Sequence, residues 1–322
     1  MKKYLLLIAM FFLLSNCDSI GRNRHHVASN ISLTADSIKI NYLLNLNQIF
    51  CIKDFLIIES DNTADLYYFF TLPEMQFAFS FGNKGQGPDE FLFNHGLIES
   101  PSSNAFFIAD NGNKEIRKFE IGDSITEIKS FSLKDMNKMI PNDIHFMSSE
   151  IFCFQNRTPG KTIIESWDFA HNEQSQYYDL SQNSNSILDD GLLSSSMNRI
   201  VYAYSYQDRI SILHEGKQVD IRNQPTVVDE QKMTHYYAGV QSDEKYIVVL
   251  YIGASEEEIL SNLEHFVSKI HIYNWEGDFL CSFELDRFIS KFSIDFKQMK
   301  MYSYSPLNED YLYIYNIKIP VL

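Results

Sequence analysis

The chain has 322 residues, with 42 Asp and Glu against 27 Lys and Arg and a formal charge of −15. Nucleic-acid binders depend on Lys and Arg to neutralise phosphates, so this balance excludes RNA and DNA as partners. Beyond the leader, Cys51, Cys153 and Cys281 lie in separate apolar runs. They require no disulfide framework, and no Cys-x-x-Cys or His cluster marks a metal or other cofactor site.

The first element is a leader. Lys2 and Lys3 form a basic start, Tyr4 to Leu14 form an apolar stretch, and Cys17 follows Ser15 and Asn16. The apolar run is shorter than the ~20 residues a membrane-spanning helix needs and reads as an export signal. It resembles the signal peptides of bacterial lipoproteins, which implies removal of residues 1–16 and a lipid on Cys17. Residues 17–30, including Arg22, Arg24, His25 and His26, form a flexible tether, and residues 31–322 form the folded domain.

Helical periodicity is nearly absent, whereas runs of Tyr, Phe, Ile and Val bounded by Asn, Asp, Gly and Ser recur throughout, the pattern of many short strands. Six strongly apolar strands are predicted at Phe55–Ile58, Ala105–Ala109, Ile151–Phe154, Ile200–Tyr204, Tyr246–Tyr251 and Met299–Tyr304. Their spacing of roughly 45 to 50 residues is that of one four-stranded propeller blade. Each is followed by another strand: Leu66–Phe70, Glu115–Ile121, Thr162–Trp167, Arg209–Leu213, Lys269–Trp275 and Tyr311–Tyr315. Turns at Pro73–Glu74, Gly122–Asp123, Asn172–Glu173, Glu215–Gly216 and Glu276–Gly277 then lead to an outer strand. The last copy lacks that strand. Ile31–Ile40 is available to supply it by pairing with Tyr311–Ile319, which closes the ring and removes its free edges. The expected fold is all-β, a six-bladed propeller of four-stranded antiparallel blades. One helical insertion is predicted near 255–265, capped by Ser255 and Glu258, with Ile259, Leu260 and Leu263 packed on a sheet edge.

The glycine-rich stretch from Phe81 to Phe91, FGNKGQGPDEF, invites a phosphate-loop reading. Such a loop needs a helix straight after it, whose N-terminal amides face the anion; Phe91–Ile98 has no helical period, and Gly-Lys-Ser/Thr is missing. The stretch instead marks the corner between the first and second blades. Together with FFIADNGNKEIRKFEI (Phe106–Ile121) it resembles the NHL-type blade signature. With the leader and IHIYNWEGDFL (Ile270–Leu280), the chain resembles the TolB-like six-bladed propeller lipoproteins of Gram-negative bacteria. That resemblance implies a lipid-anchored protein of the outer membrane and no agreed activity. An acidic run after Cys17 is absent, which favours the periplasmic side over the cell surface.

A propeller works through the face where blade-to-blade connections and second-to-third-strand loops gather. Here these carry Lys84, Gln86, Asp110, Asn113, Arg157, Tyr206 and Asp208, a set of amides, charges and tyrosines suited to a glycan, a peptide or a partner protein of the envelope. Asp110 also suits a turn cap. A non-catalytic binding module is the leading expectation. The alternatives are a metal-assisted lyase or hydrolase, with His95, His145, His235 and His271 converging at the axis, and an interaction scaffold without a small ligand. No Gly-x-Ser-x-Gly elbow points to a serine hydrolase.

Overall fold

The computed structural model describes residues 30–320 apart from 41–44, 61–62, 86, 88–89, 92–93, 100–103, 111, 123, 134–143, 149, 159–160, 181–186, 215 and 224–232. Cys17 and the leader lie outside the described residues. Among those described, strands assemble into six sheets.

The chain enters through β1 (Asn30–Leu33) and β2 (Asp36–Lys39). The first blade is β3 (Leu46–Ile52), β4 (Phe55–Ser60), β5 (Asp65–Thr71) and β6 (Phe77–Lys84), with β7 (Glu90–Phe91) alongside β6. Blade 2 is β8 (Asn94–Glu99), β9 (Ala105–Asp110), β10 (Glu115–Ile121) and β11 (Ile125–Ser132). Blade 3 is β12 (Ile144–Ser148), β13 (Ile151–Thr158), β14 (Lys161–Asp168) and β15 (Glu173–Asp179). Blade 4 is β16 (Gly191–Ser196), β17 (Arg199–Tyr204), β18 (Arg209–His214) and β19 (Lys217–Arg222). Blade 5 is β20 (Thr234–Ser242), β21 (Tyr246–Ser255), β22 (Lys269–Asn274) and β23 (Phe279–Leu285); blade 6 is β24 (Lys291–Asp295), β25 (Lys300–Tyr304) and β26 (Tyr311–Asn316).

The inner strands β3, β8, β12, β16, β20 and β24 touch one another in cyclic order, which makes the sheets a ring. Hydroxyls and amides staple them. Ser194 and Ser242 share a hydrogen bond of 2.9 Å, the Ser195 hydroxyl donates to Phe146 O (2.8 Å), Gln241 Oε1 accepts from Ile294 N (2.8 Å), and the Ser293 hydroxyl accepts from Cys51 N (2.8 Å). Outside this collar, each pair of neighbouring blades encloses one apolar cluster. Ile57, Phe69, Phe106 and Phe119 fill the gap between blades 1 and 2, and Val201, Ile212, Ile247 and Val249 that between blades 4 and 5. Trp167 and Trp275 both pack between blades.

Ring closure differs in detail from the expectation of a single strand at Ile31–Ile40. β1 runs parallel to β23 as a fifth strand of blade 5, and β2 pairs antiparallel with β26 as the fourth strand of blade 6. The two strands are separated at Thr34 and Ala35. Ile31, Leu33 and Ala35 pack on the blade 5–blade 6 cluster, whereas Ile38 and Ile40 pack on the blade 6–blade 1 cluster, on the opposite face of blade 6. At the break, Ala35 N donates to Asp286 Oδ2 (3.3 Å), and the same carboxylate accepts from the Tyr315 hydroxyl (2.6 Å) and the Arg287 guanidinium (2.7 Å). This clamp ties the strap to both blades.

The glycine-rich corner is structural. Gly82 has φ +81°, and a Cβ there would lie 3.2 Å from the Phe91 ring. Phe91 is buried between blades 1 and 2, and Glu90 turns back to accept from Gly87 N (2.7 Å). Strand β8 follows. The outer hairpins have the expected chemistry, with Asn172, Gly216 and Gly277 at φ 54°, 75° and 85°. Helix α1 (Glu256–Ser261) is capped by the reciprocal Ser255–Glu258 box. Ile259 packs on the blade 5–blade 6 cluster, but Leu260 is 64% exposed, contrary to the expected packing of all three apolar residues, because so short a helix turns only one edge to the sheet.

Candidate functional site

Loops from second to third strands and from blade to blade meet on one face, and the expected residues divide there into three groups. Lys84 ends β6 in an exposed position, and Gln86 lies outside the described residues. Asp110 ends β9 with no exposed surface and accepts from Gly112 N (2.9 Å), Asn113 N (3.2 Å) and Asn113 Nδ2 (2.7 Å). These two residues hold the β9–β10 turn. Arg157, Tyr206 and Asp208 belong to the neighbouring blades 3 and 4. The Arg157 guanidinium pairs with Asp190, at the start of blade 4.

Tyr206 and Asp208 join a larger group at the junction of blades 4 and 5. Tyr236 N donates to Ser205 O (2.8 Å), which zips the start of β20 to the β17–β18 loop. This sets the Tyr206 and His235 rings 5.0 Å apart, tilted by 53°. One residue further along β20 the Tyr237 hydroxyl donates to Asp208 Oδ1 (2.8 Å), and Asn223 Nδ2 donates to the same oxygen (3.0 Å). Asp208 is 4% exposed, and burial raises its carboxyl above the usual range although both hydrogen bonds oppose the shift. It braces the site from behind. From β21, Tyr251 lies 5.6 Å from Tyr237 and stacks on His271 of β22 at 4.4 Å. Burial, seconded by the Lys269 charge, pulls His271 down to about 4, so the imidazole is neutral at ordinary pH. Burial likewise raises the Tyr236 and Tyr251 hydroxyls.

The outcome is a half-exposed group of rings, Tyr206, His235, Tyr236 and Tyr251, over a buried carboxylate. Its chemistry is that of stacking and uncharged hydrogen bonding. Blade 5 contributes most of it, and of the blade 5 residues sequence reasoning reached only His235 and His271, as metal candidates. The available signal was the His235-Tyr236-Tyr237 run opening an inner strand, where tyrosine gathers beside a loop-rich face.

The axis holds a second set. Glu99 ends β8, Cys51 lies near the end of β3, Asp295 ends β24 and His145 lies on β12, so four consecutive blades contribute. Glu99 is open to water yet walled by strands; burial pushes its carboxyl up to about 7, with His145 acting in the opposite direction. Burial also raises the Cys51 thiol, and the Glu99 and Asp295 charges add to the shift. His235 and His271 sit away in the blade 4–blade 5 junction, and the side chain of His95 lies outside the described residues. Among the described residues no group of three or more His, Cys, Asp or Glu is placed to hold a metal ion.

The Glu99 shift has a measurable sign. With a folded value of about 7 above the unfolded value of about 4.3, stability falls as pH rises between the two and stays lowered above the folded value. Glu99→Gln is therefore expected to raise the melting temperature near about pH 8 and leave it unchanged near about pH 4. Equal gains at both pH values would count against an enclosed carboxylate.

A closed ring of six sheets of four or five strands, with a loop-rich face and a collar of inner strands, defines a six-bladed β-propeller. Residues 29–158 match the TolB-like 6-blade propeller-like family. The remaining blades are built the same way, so the six-bladed propeller extends beyond the matched residues. Its fold is similar to that of a DUF4221-family protein of Bacteroides vulgatus, at 12% identity and a TM-score of 0.64, over 90% of this chain and 99% of the other. It is also similar to a Bacteroides fragilis protein described as exported, at 11% identity and a TM-score of 0.57, over 93% and 98% of the two chains. At these identities the likeness is one of fold. No curated protein matches the sequence. Among the described residues no helix is long and apolar enough to cross a membrane.

Proposed function

We propose that this protein is a lipid-anchored, non-catalytic binding module of the bacterial envelope, held through Cys17 on the periplasmic side of the outer membrane. Its loop-rich face binds a glycan, a peptide or a partner protein. The observation that carries this reading is the gathering of Tyr206, His235, Tyr236 and Tyr251 into one half-exposed group braced by Asp208. Half-exposed aromatic rings with polar edges are what recognition surfaces use, since they offer contact area with little entropy to lose. The leader and the fold shared with an exported protein of Bacteroides fragilis support the location.

The test has two arms. The protein lacking residues 1–17 is screened against glycans and peptides, and the best ligand is titrated against a Tyr206→Ala, Tyr236→Ala double variant; a loss of about a hundredfold is expected from two rings at ~1.4 kcal/mol each. Turnover of any bound ligand, or binding indifferent to both substitutions, would overturn the reading. In the second arm the full-length chain is expected in the membrane fraction and Cys17→Ala outside it; identical fractionation would remove the anchor.

A further inference from the structure

We infer that the blade 4–blade 5 site receives neutral glycans. This rests on the proposed binding role of the loop-rich face and names the class of ligand for it. Charged ligands require compensating charge, and the charges around the site are already paired. The Asp208 carboxylate is buried and already accepts from Tyr237 and Asn223. The imidazole behind Tyr251 is held neutral by burial. The cations around it already have acidic partners: Arg209 and Arg222 pair with Asp220, Lys269 with Glu284, and Arg157 with Asp190.

Peptides are disfavoured by the backbone. A strand added to a sheet edge needs unpaired N–H and C=O groups, whereas β20 is paired to β21 along its length and Tyr236 N is already bonded to Ser205 O. Anionic polymers are disfavoured by the chain's charge of −15. What remains is a surface of ring faces and hydroxyl edges. Sugars present the matching pair, apolar C–H faces that lie on aromatic rings and hydroxyls that both donate and accept.

The experiment uses the protein lacking residues 1–17 and titrates cellohexaose, mannohexaose and chitohexaose as neutral probes, polygalacturonate as an anionic probe, and a tiled peptide library. Binding of at least one neutral probe is expected, with little change between low and high salt. Tyr206→Ala is expected to weaken it about tenfold, Tyr206→Phe to leave it nearly intact, and Lys297→Ala, on the opposite face, to leave it unchanged. Thermal melting confirms that each variant is folded. Binding of polygalacturonate or peptides alone, lost in Tyr206→Ala, overturns the glycan assignment and leaves the binding role standing. Binding of every probe that ignores Tyr206→Ala, or no binding at all, overturns both.

Discussion

Removal of residues 30–40 is expected to abolish the folded ring. β1 and β2 pair with two different blades, and the hydrogen bonds they make are each worth about 1 kcal/mol net. Ile31, Leu33 and Ala35 leave the cluster between blades 5 and 6, Ile38 and Ile40 leave that between blades 6 and 1, and Asp286 loses its bond from Ala35. Summed with the apolar surface exposed, the loss is about 5–10 kcal/mol, comparable with the whole stability of a domain. The edges of β23 and β26 would also be bared, so the truncated chain should aggregate. Circular dichroism melting and size-exclusion chromatography check both effects. A rescue follows from strand direction. Because β2 is antiparallel to β26, residues 36–40 attached beyond residue 320 through a short turn can pair with β26 as an ordinary hairpin. That chain, with β1 retained at its own end, should regain a cooperative melt. A truncated chain that melts as the full one does would show that the strap is dispensable.

Asp220→Ala is expected to cost about 3–5 kcal/mol. Arg209 is 1% exposed and donates to Asp220 Oδ2 (2.7 Å), with its guanidinium 4.5 Å from the Tyr204 ring centroid. The Ser211 hydroxyl (2.6 Å) and Gln218 Nε2 (2.8 Å) donate to the other carboxylate oxygen. Removing the carboxylate takes a bonded counter-charge from a buried cation, whereas replacing both partners in an Arg209→Met, Asp220→Leu variant should recover most of the loss. Burial pushes the Asp220 carboxyl up, but the bonds from Ser211 and Gln218 and the Arg209 charge outweigh it, and the folded value lies below the unfolded one of about 3.9. The stabilisation is therefore present above about pH 4 and lost as pH falls through the depressed folded value. Urea unfolding of wild type and Asp220→Ala should differ most at neutral pH and converge under acid. A constant difference across that range would rule out an ion pair as the source.

The blade rhythm was readable because the second strands, such as Leu56–Ile58 and Ile247–Leu250, are buried on both faces and read as continuous apolar runs. The inner strands were harder. In β8 and β16, Glu99, Ser194 and Ser196 interrupt the apolar pattern, since one side of an inner strand lines a polar axis. The break in the closing strap was not marked in the sequence, because it is a change of partner from β23 to β26 that exists only once two blades stand side by side.

The candidate site shows the same division. Tyr206 and Asp208 were visible as polar residues in a loop between two apolar strands, and Asp110 as a turn former. Their roles differ because surroundings differ: Asp110 is spent on its own turn, while Asp208 is buried by tyrosines from the next blade. By itself the sequence determined the number of blades, the glycine corner and the capped helix, because periodicity and turn chemistry are local properties of a chain. Only the tertiary structure decided which rings meet, since Tyr206 and Tyr251 belong to different blades and are brought to one surface by the packing of sheets about a closed axis.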